Sequence, residues 1–157
     1  MTQFASNTKV SVDKSISEIR RTVQKYGGIN FVAAEGDGRA VIMFEACDRR
    51  VQFELPLPRR SDFAFREKYR KQVEADPSWQ NSAWEQACRT KWRALALCIK
   101  AKLEAVESEI SDFQSEFLAY IAVPGQNGPT TVGKWLKPQL EATYQTGTLP
   151  PLLESGR

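Results

Sequence analysis

Basic and aromatic residues are interleaved between residues 49 and 71, and their side chains are well suited to bind a ligand. The basic residues are Arg49, Arg50, Arg59, Arg60, Arg66, Lys68, Arg70 and Lys71. The aromatic residues between them are Phe63, Phe65 and Tyr69. Guanidinium and ammonium groups bind phosphates, and aromatic rings stack on bases. The segment therefore predicts a polyanion-binding surface. The alternative is a solvated, irregular segment whose aromatic rings pack back on the core.

Residues for covalent or metal chemistry are scarce. The chain contains no histidine, which removes the usual Ser-His and Cys-His nucleophiles and the commonest metal ligand. Its three cysteines form no Cys-x-x-Cys pair, and an odd number argues against a disulfide framework. Cys88 and Cys98 are predicted to pack as small apolar residues. The sequence thus indicates no catalytic residue, no metal site and no cofactor.

A metal-dependent nuclease is the least unlikely enzyme class. Such a site needs an Asp and then a Glu-x-Lys motif on neighbouring strands, because two carboxylates hold Mg²⁺ and the lysine steadies the phosphate. Glu45 is followed by Ala-Cys and Glu54 by Leu-Pro, so the lysine is missing in both places. This pattern favours a non-enzymatic protein.

Length and composition are those of an ordinary globular domain. The 157 residues are 41% hydrophobic and 26% charged, with a net charge of +3. We expect one domain over 1–157, with 1–12 and 145–157 as extended tails. No run approaches the roughly 20 apolar residues that cross a bilayer, and the first residues lack the apolar core of a signal peptide. The expected location is the cytoplasm, with no membrane partner.

One long helix is predicted to support these residues, from about Asn81 to Phe117. Apolar residues recur there at steps of three or four, as expected for a helix face packed on a core. They are Trp84, Cys88, Trp92, Leu95, Ile99, Leu103, Val106, Ile110, Phe113 and Phe117. Ser108 or Ser111 could restart the helix with a bend.

The same helix has a second face of small residues. Ala94, Leu97, Ala101 and Ala105 lie away from the main stripe. Small side chains allow another backbone to approach closely, so we expect this face to contact the C-terminal helix or a second subunit. A homo-oligomer is therefore a partner hypothesis. Trp84, Trp92 and Trp135 fit helix stripes and are interpreted as core residues, with ligand stacking as the alternative.

The first half of the chain predicts a helix and three strands. A helix from about Asp13 to Tyr26 would begin with a Ser15–Glu18 capping box and end at Gly27. Strands are predicted over 29–34, 40–46 and 50–55, with glycine-containing or short turns between them. Residues 62–74 predict a short helix, which Pro77 closes.

The C-terminal part predicts one more helix. Thr131 would cap a helix from Val132 to Tyr144, with a kink or a division into two parts at Pro138. Its inward-facing residues would be Val132, Trp135, Leu136, Leu140 and Tyr144. The apolar tail at 147–153 is expected in a groove, its own or a neighbour's. The fold class is thus α+β: an N-terminal helix and a three-stranded antiparallel sheet packed on a long central helix, with a C-terminal helix and extended tail.

Two stretches of the second half are distinctive: WRALALCIKAKLEAVESEISDFQSEFLAYI at 92–121 and TVGKWLKPQLEATYQTGTLPPLL at 131–153. They resemble a widespread family of short tailed-bacteriophage and prophage proteins. The pattern from Asn7 to Pro58 is similar too, and 59–80 would be the variable part. Members of that family carry an acidic residue where this chain has Lys134.

The resemblance implies a phage setting and supplies no catalytic residue. The resulting expectation is a phage accessory protein that binds nucleic acid through the basic segment. The alternative is a counter-defence protein that captures a host protein or a nucleotide signal. Nucleic acid, a nucleotide and a host protein are therefore the partner hypotheses.

Overall fold

The computed structural model describes residues 5–68, 71–125 and 128–148. Within these ranges there are four α-helices: α1 (Val12–Lys25), α2 (Pro77–Glu107), α3 (Phe113–Phe117) and α4 (Val132–Thr146). The strands are β1 (Ile29–Gly36), β2 (Arg39–Ala46), β3 (Arg49–Pro56), β4 (Phe65–Lys68), β5 (Lys71–Glu74), β6 (Ala122–Val123) and β7 (Thr130–Thr131). Short 3₁₀ turns cover Arg60–Phe63 and Leu118–Tyr120. This order confirms the predicted α+β class.

Helix α1 begins one turn earlier than its predicted capping box. Ser11 is the N-cap, and its hydroxyl accepts a hydrogen bond from the Lys14 backbone N–H at 3.2 Å. The capping-box prediction at Ser15 is therefore wrong: Ser15 is fully buried inside the helix, and Glu18 pairs with Arg93 of α2. The predicted end is confirmed, since Gly27 takes a φ of 81°.

Strands β1, β2 and β3 form the predicted antiparallel meander. Each strand pairs with the next along the chain, and a bulge interrupts β1 between Ile29 and Val32. Alternate residues face the core, because successive side chains of a strand point to opposite sides. The buried residues of the sheet are Ala40, Ile42, Phe44, Ala46, Val51 and Phe53.

Helices α1 and α2 lie side by side on the inner face of the sheet and run parallel. Glu18 of α1 contacts Arg93 of α2. Further along both helices, the Tyr26 hydroxyl donates a hydrogen bond to Glu104, so the two helices run in the same direction. Most of the predicted α2 stripe is confirmed, with Trp92 and Ile99 at 0% exposure. This packing fixes the N-terminal ends of both helices at the same end of the sheet.

Helix α2 stops at Glu107, earlier than predicted. The backbone N–H of Ile110 bonds to the Ala105 carbonyl and that of Glu109 to the Val106 carbonyl. This pattern is a Schellman motif, which needs a left-handed residue, and Glu109 takes a φ of 56°. Helix α3 then starts from Asp112, not from Ser111.

Two predicted core positions near this helix are wrong. Ile110 is 80% exposed, because the chain has already left the helix there. Cys98 is also exposed, since it lies on a side of α2 turned away from the core. Cys88 is buried, as predicted.

The prediction of a short helix over 62–74 is wrong. The chain instead makes a 3₁₀ turn and the β4–β5 hairpin, in which Arg66 lies opposite Val73 and Lys68 opposite Lys71. Asp62 accepts a hydrogen bond from the Arg59 N–H at 2.8 Å, which caps the start of the 3₁₀ turn, and the turn ends at Phe63.

Helix α4 is capped by Thr131, as predicted, and continues through Pro138 as one element. Its predicted inward residues are largely wrong: Trp135 is 48%, Leu140 45% and Tyr144 90% exposed. The helix touches the rest of the molecule along a narrow line, where Gly133 sits so close to the Ala119 carbonyl that a Cβ would clash at 2.8 Å. The tail predicted to lie in a groove spans 147–153. Gly147 and Thr148 are described, and the rest of the tail lies outside the described residues.

In the described ranges, no helix has both the length and the apolar character needed to cross a membrane.

Candidate ligand-binding cleft

The structure places the predicted basic residues at three separate locations. Arg49 and Arg50 lie at the β2–β3 turn, whereas Arg59 and Arg60 follow the other end of β3. An eight-residue strand, about 25 Å long, separates these two pairs. The remaining described members, Arg66, Lys68 and Lys71, lie on the β4–β5 hairpin. Tyr69 and Arg70 are outside the described residues.

The pair at the β2–β3 turn is partly neutralised. Arg50 contacts the Glu45 carboxylate at 3.0 Å, and Asn30 donates to the same carboxylate at 2.8 Å. The Asn30 hydrogen bond, followed by that from Arg50, lowers the pKa of Glu45. Arg49 is exposed and bonds to the Asp48 carbonyl at 3.0 Å. A cavity of about 860 Å³ opens beside this turn, with much of its wall formed by the loop that follows β6.

The hairpin carries both charged and aromatic side chains. Arg66 lies 3.4 Å from the Asp76 carboxylate and 5.4 Å from the centre of the Trp79 ring. Phe65 is 63% exposed, while Phe63 is half-buried in the preceding 3₁₀ turn. Of the two predicted stacking rings that the structure describes, only Phe65 is therefore accessible.

A second cavity, of about 700 Å³, lies where four parts of the chain meet. We call it the α1–α2 cleft. Its walls are the start of α1 (11–13), the β1–β2 hairpin (35–38), the segment after β3 (57–60) and one side of α2. The α2 residues are Trp84, Glu85, Cys88, Arg89 and Trp92.

Backbone and indole hydrogen bonds hold the segment after β3 in place. The Leu57 N–H bonds to the Gly38 carbonyl at 3.0 Å, and the Trp84 indole N–H donates to the Pro58 carbonyl at 2.9 Å. Gly38 has a φ of 69°, and the Arg59 side chain packs directly over it. Arg59 and Arg60 therefore project at the rim of the cleft from a fixed backbone.

Three arginines surround the cleft, and each has only a modest local partner. Arg59 lies 3.7 Å from the exposed Asp37 carboxylate. Arg60 covers the Trp84 ring at 5.4 Å and bonds to Asn81.

Arg89, the third of these arginines, comes from α2 itself. It bonds to the Gln86 side chain at 2.6 Å and lies 3.9 Å from Glu85. Gln86 also donates to the carbonyls of Ser6 and Thr8 at 3.0 Å, which ties the N-terminal segment across α2.

Four carboxylates also line the cleft, and sequence reasoning missed their contribution. Asp37 and Glu85 lie near arginines, whereas Asp13 and Glu35 have no hydrogen bond or ion pair within the described part of the chain. Asp13, the hairpin pair Glu35 and Asp37, and Glu85 come from three distant parts of the sequence, and packing of the hairpin beside α1 and α2 brings them to one cavity. The alternation Phe31, Ala33, Glu35 was the one available signal, since it predicts that Glu35 shares the inner face.

The floor of the cleft is apolar and buried. Burial raises the pKa of the Cys88 thiol, and the charge of Glu35 adds to this rise. The indole N–H of the fully buried Trp92 has no hydrogen-bond partner, and neither has the Ser15 hydroxyl, within the described residues. Trp84 is half-buried and forms part of the wall, so of the predicted core tryptophans only Trp92 is fully enclosed.

The small-residue face of α2 points away from the core. Ala101 is exposed, and Ala94, Leu97 and Ala105 are half-buried. Helix α4 packs chiefly on the 3₁₀ turn at Leu118–Tyr120 and on β7, so it does not cover this face as one prediction supposed.

Within the described ranges, no group of three or more Cys, Asp or Glu side chains is arranged to hold a metal ion. Comparison of the chain with protein-family models, with curated proteins and with solved structures finds no match.

Proposed function

We propose that this chain is a non-enzymatic binding protein whose α1–α2 cleft takes a nucleotide. The observation that carries this proposal is the grouping of Arg59, Arg60 and Arg89 with the Trp84 ring around one cavity of about 700 Å³. Cavities of roughly 300–1,000 Å³ are typical of small-molecule sites.

Each part of a nucleotide has a suitable counterpart in the cleft. Guanidinium groups bind phosphate with charge-assisted, often bidentate hydrogen bonds. The start of the 14-residue helix α1 lies in the same cavity and adds a positive helix end. The Trp84 ring and the Arg60 guanidinium stacked on it offer flat surfaces for a base.

A titration calorimetry experiment with nucleoside monophosphates and cyclic nucleotides tests the proposal. Replacing Arg60 with Gln should weaken binding about 10- to 150-fold, the range expected for losing a charged hydrogen bond of roughly 1.5–3 kcal/mol. Arg49→Gln is the matched control, since it removes an exposed arginine at the opposite end of β3. No binding by the unaltered protein, or equal losses in both variants, would contradict the proposal.

Cys88 provides a second readout that locates the ligand. It lies in the cleft wall, whereas Cys47 and Cys98 are exposed. In a Cys47→Ser/Cys98→Ser protein, a bound nucleotide should slow the reaction of Cys88 with a thiol reagent. An unchanged rate at saturating nucleotide would place the ligand elsewhere.

Nucleic acid is a second candidate ligand, supported by the exposed Phe65 ring on β4 and by Lys68 and Lys71, which lie opposite each other on the same hairpin. Affinity for single-stranded DNA or RNA should then fall steeply with salt. It should also fall in a Lys68→Gln/Lys71→Gln variant but not in Lys100→Gln, an exposed lysine on α2. Salt-insensitive or absent binding would exclude this candidate.

The biological setting belongs to the same proposal. The resemblance to tailed-phage proteins suggests a role in the cytoplasm of an infected bacterium, where capture of a nucleotide signal would serve counter-defence. A host protein is the alternative target, and a pull-down from host lysate tests it.

A homo-oligomer through Ala94, Leu97, Ala101 and Ala105 remains a further part of the proposal. Its support is that these small residues form a face of α2 directed away from the core. Sedimentation of the unaltered protein and of Ala101→Arg tests it, since a charged, long side chain on this face should dissociate an oligomer. A monomer at all concentrations would contradict it.

A further inference from the structure

Glu35 is an exposed carboxylate that lines the α1–α2 cleft from the core-facing side of the sheet. It follows the half-buried Phe31 and Ala33 on that face and lies opposite the fully buried Ala40 of β2. Its charge reaches the Cys88 thiol in the cleft wall. Within the described residues no donor is paired with it.

The other unpaired carboxylate of the cleft has an internal role. Asp13 lies in the first turn of α1, where the positive end of the helix stabilises a negative charge. Glu35 is solvated and has no such role, and it lines the same cavity as Arg59, Arg60 and Trp84. A carboxylate that shares one cavity with arginines and a flat indole ring points to a ligand that carries hydrogen-bond donors at one end and an anion at the other.

The two oxygens of a carboxylate accept hydrogen bonds and donate none. Among the common bases, guanine presents two adjacent donors on its Watson–Crick edge, N1–H and the 2-amino group, at the spacing of one carboxylate. Adenine would place the N1 lone pair against the carboxylate, and uracil has one N–H between two carbonyl oxygens. Guanine is therefore the base that suits Glu35 best.

We infer that the α1–α2 cleft selects guanine nucleotides, with Glu35 accepting from N1–H and the 2-amino group while the phosphate lies toward Arg59 and Arg60. This inference rests on the proposed nucleotide function and adds a specificity-determining residue to it. The ligand class is a guanosine phosphate, and the inference does not depend on the number of phosphates.

Titration with GMP, IMP and AMP tests the inference directly. IMP differs from GMP only in lacking the 2-amino group, so it removes one of the two proposed hydrogen bonds. We expect GMP to bind about tenfold or more tightly than IMP, and AMP to bind still more weakly. In Glu35→Gln this preference should shrink toward equal affinities, because an amide offers one acceptor oxygen and a competing NH₂ group.

Glu107→Gln is the matched control, since Glu107 is an exposed carboxylate at the far end of α2. It should keep the full preference for GMP. Equal binding of GMP and IMP, or a preference that survives in Glu35→Gln, overturns the guanine assignment and leaves nucleotide binding in place. If none of the three nucleotides binds, the proposed function itself fails, and the guanine assignment fails with it.

Discussion

Single residues show how far local sequence signals can be used in this chain. Ser15 and Glu18 have the spacing of a capping box, yet Ser11 caps the helix and Ser15 is buried. The reason is tertiary: Glu18 reaches Arg93, which lies 75 positions further along the chain. A local motif cannot reveal a partner at that distance.

The two serines should respond oppositely to alanine. Ser11→Ala should lower the free energy of unfolding by about 1 kcal/mol, because the Lys14 N–H loses its cap. Ser15→Ala should raise it by about 1 kcal/mol, because a buried hydroxyl without a partner is removed and alanine favours the helix. Urea denaturation of both variants measures these changes. A loss in Ser15→Ala would mean that its hydroxyl is hydrogen-bonded after all.

The candidate site was predicted only in part, also for reasons visible at single residues. Arg59 and Arg60 were identified from their charge, and they do border the cleft. Asp37, Asp13 and Glu35 could not be assigned to the same place, because their proximity depends on how the hairpin packs beside α1. The positive charge of residues 49–71 therefore overestimated the positive charge around Arg59 and Arg60, because carboxylates from other segments line the same cleft.

At the scale of elements, two helix ends with the same geometry differed in how well they could be predicted. Both α1 and α2 end in a Schellman motif, with the left-handed position at Gly27 in one and Glu109 in the other. Glycine is the usual residue there, so the end of α1 was visible in sequence. Glu109 gave no such signal, and the predicted helix therefore ran on through Ile110.

This difference leads to a prediction about the end of α2. Glu109→Gly should raise the free energy of unfolding by about 1 kcal/mol, because glycine adopts the left-handed conformation without the steric cost of a Cβ. Glu107→Gly, two residues earlier, should lower it by up to about 1 kcal/mol, because it places glycine at the last helical residue. Thermal or urea unfolding distinguishes the two. A loss of stability in both variants would contradict the assigned helix end.

At the scale of the whole molecule, the order of elements in the first half was predicted well. Alternation and turn residues define strands locally, and β1 to β3 are joined by short turns. The β4–β5 hairpin and the exposed side of α4 were predicted less well. The hairpin has few apolar residues, whereas α4 has several that are left exposed, so periodicity did not reveal which side of either element is covered.

The core predicts cooperative unfolding. Residues of α1, the β1–β3 sheet, α2 and α3 contribute to one continuous apolar cluster. Urea unfolding followed by circular dichroism and by tryptophan fluorescence should therefore give coincident transitions. Trp92 is fully buried in this cluster and reports on its packing. Separate midpoints would show that the sheet and the long helix unfold as independent units.

The separation of α1 and the sheet from α2 along the chain has a consequence for biosynthesis. The inner face of the sheet is complete at Pro56, but Ile99 and Leu103, which cover it, follow more than 40 positions later. At about 5–20 residues per second, a ribosome needs several seconds to add that length. During this interval Ile42, Phe44 and Phe53 lack the cover that α2 provides, so the nascent chain presents a partly covered apolar sheet face to chaperones before the cleft exists.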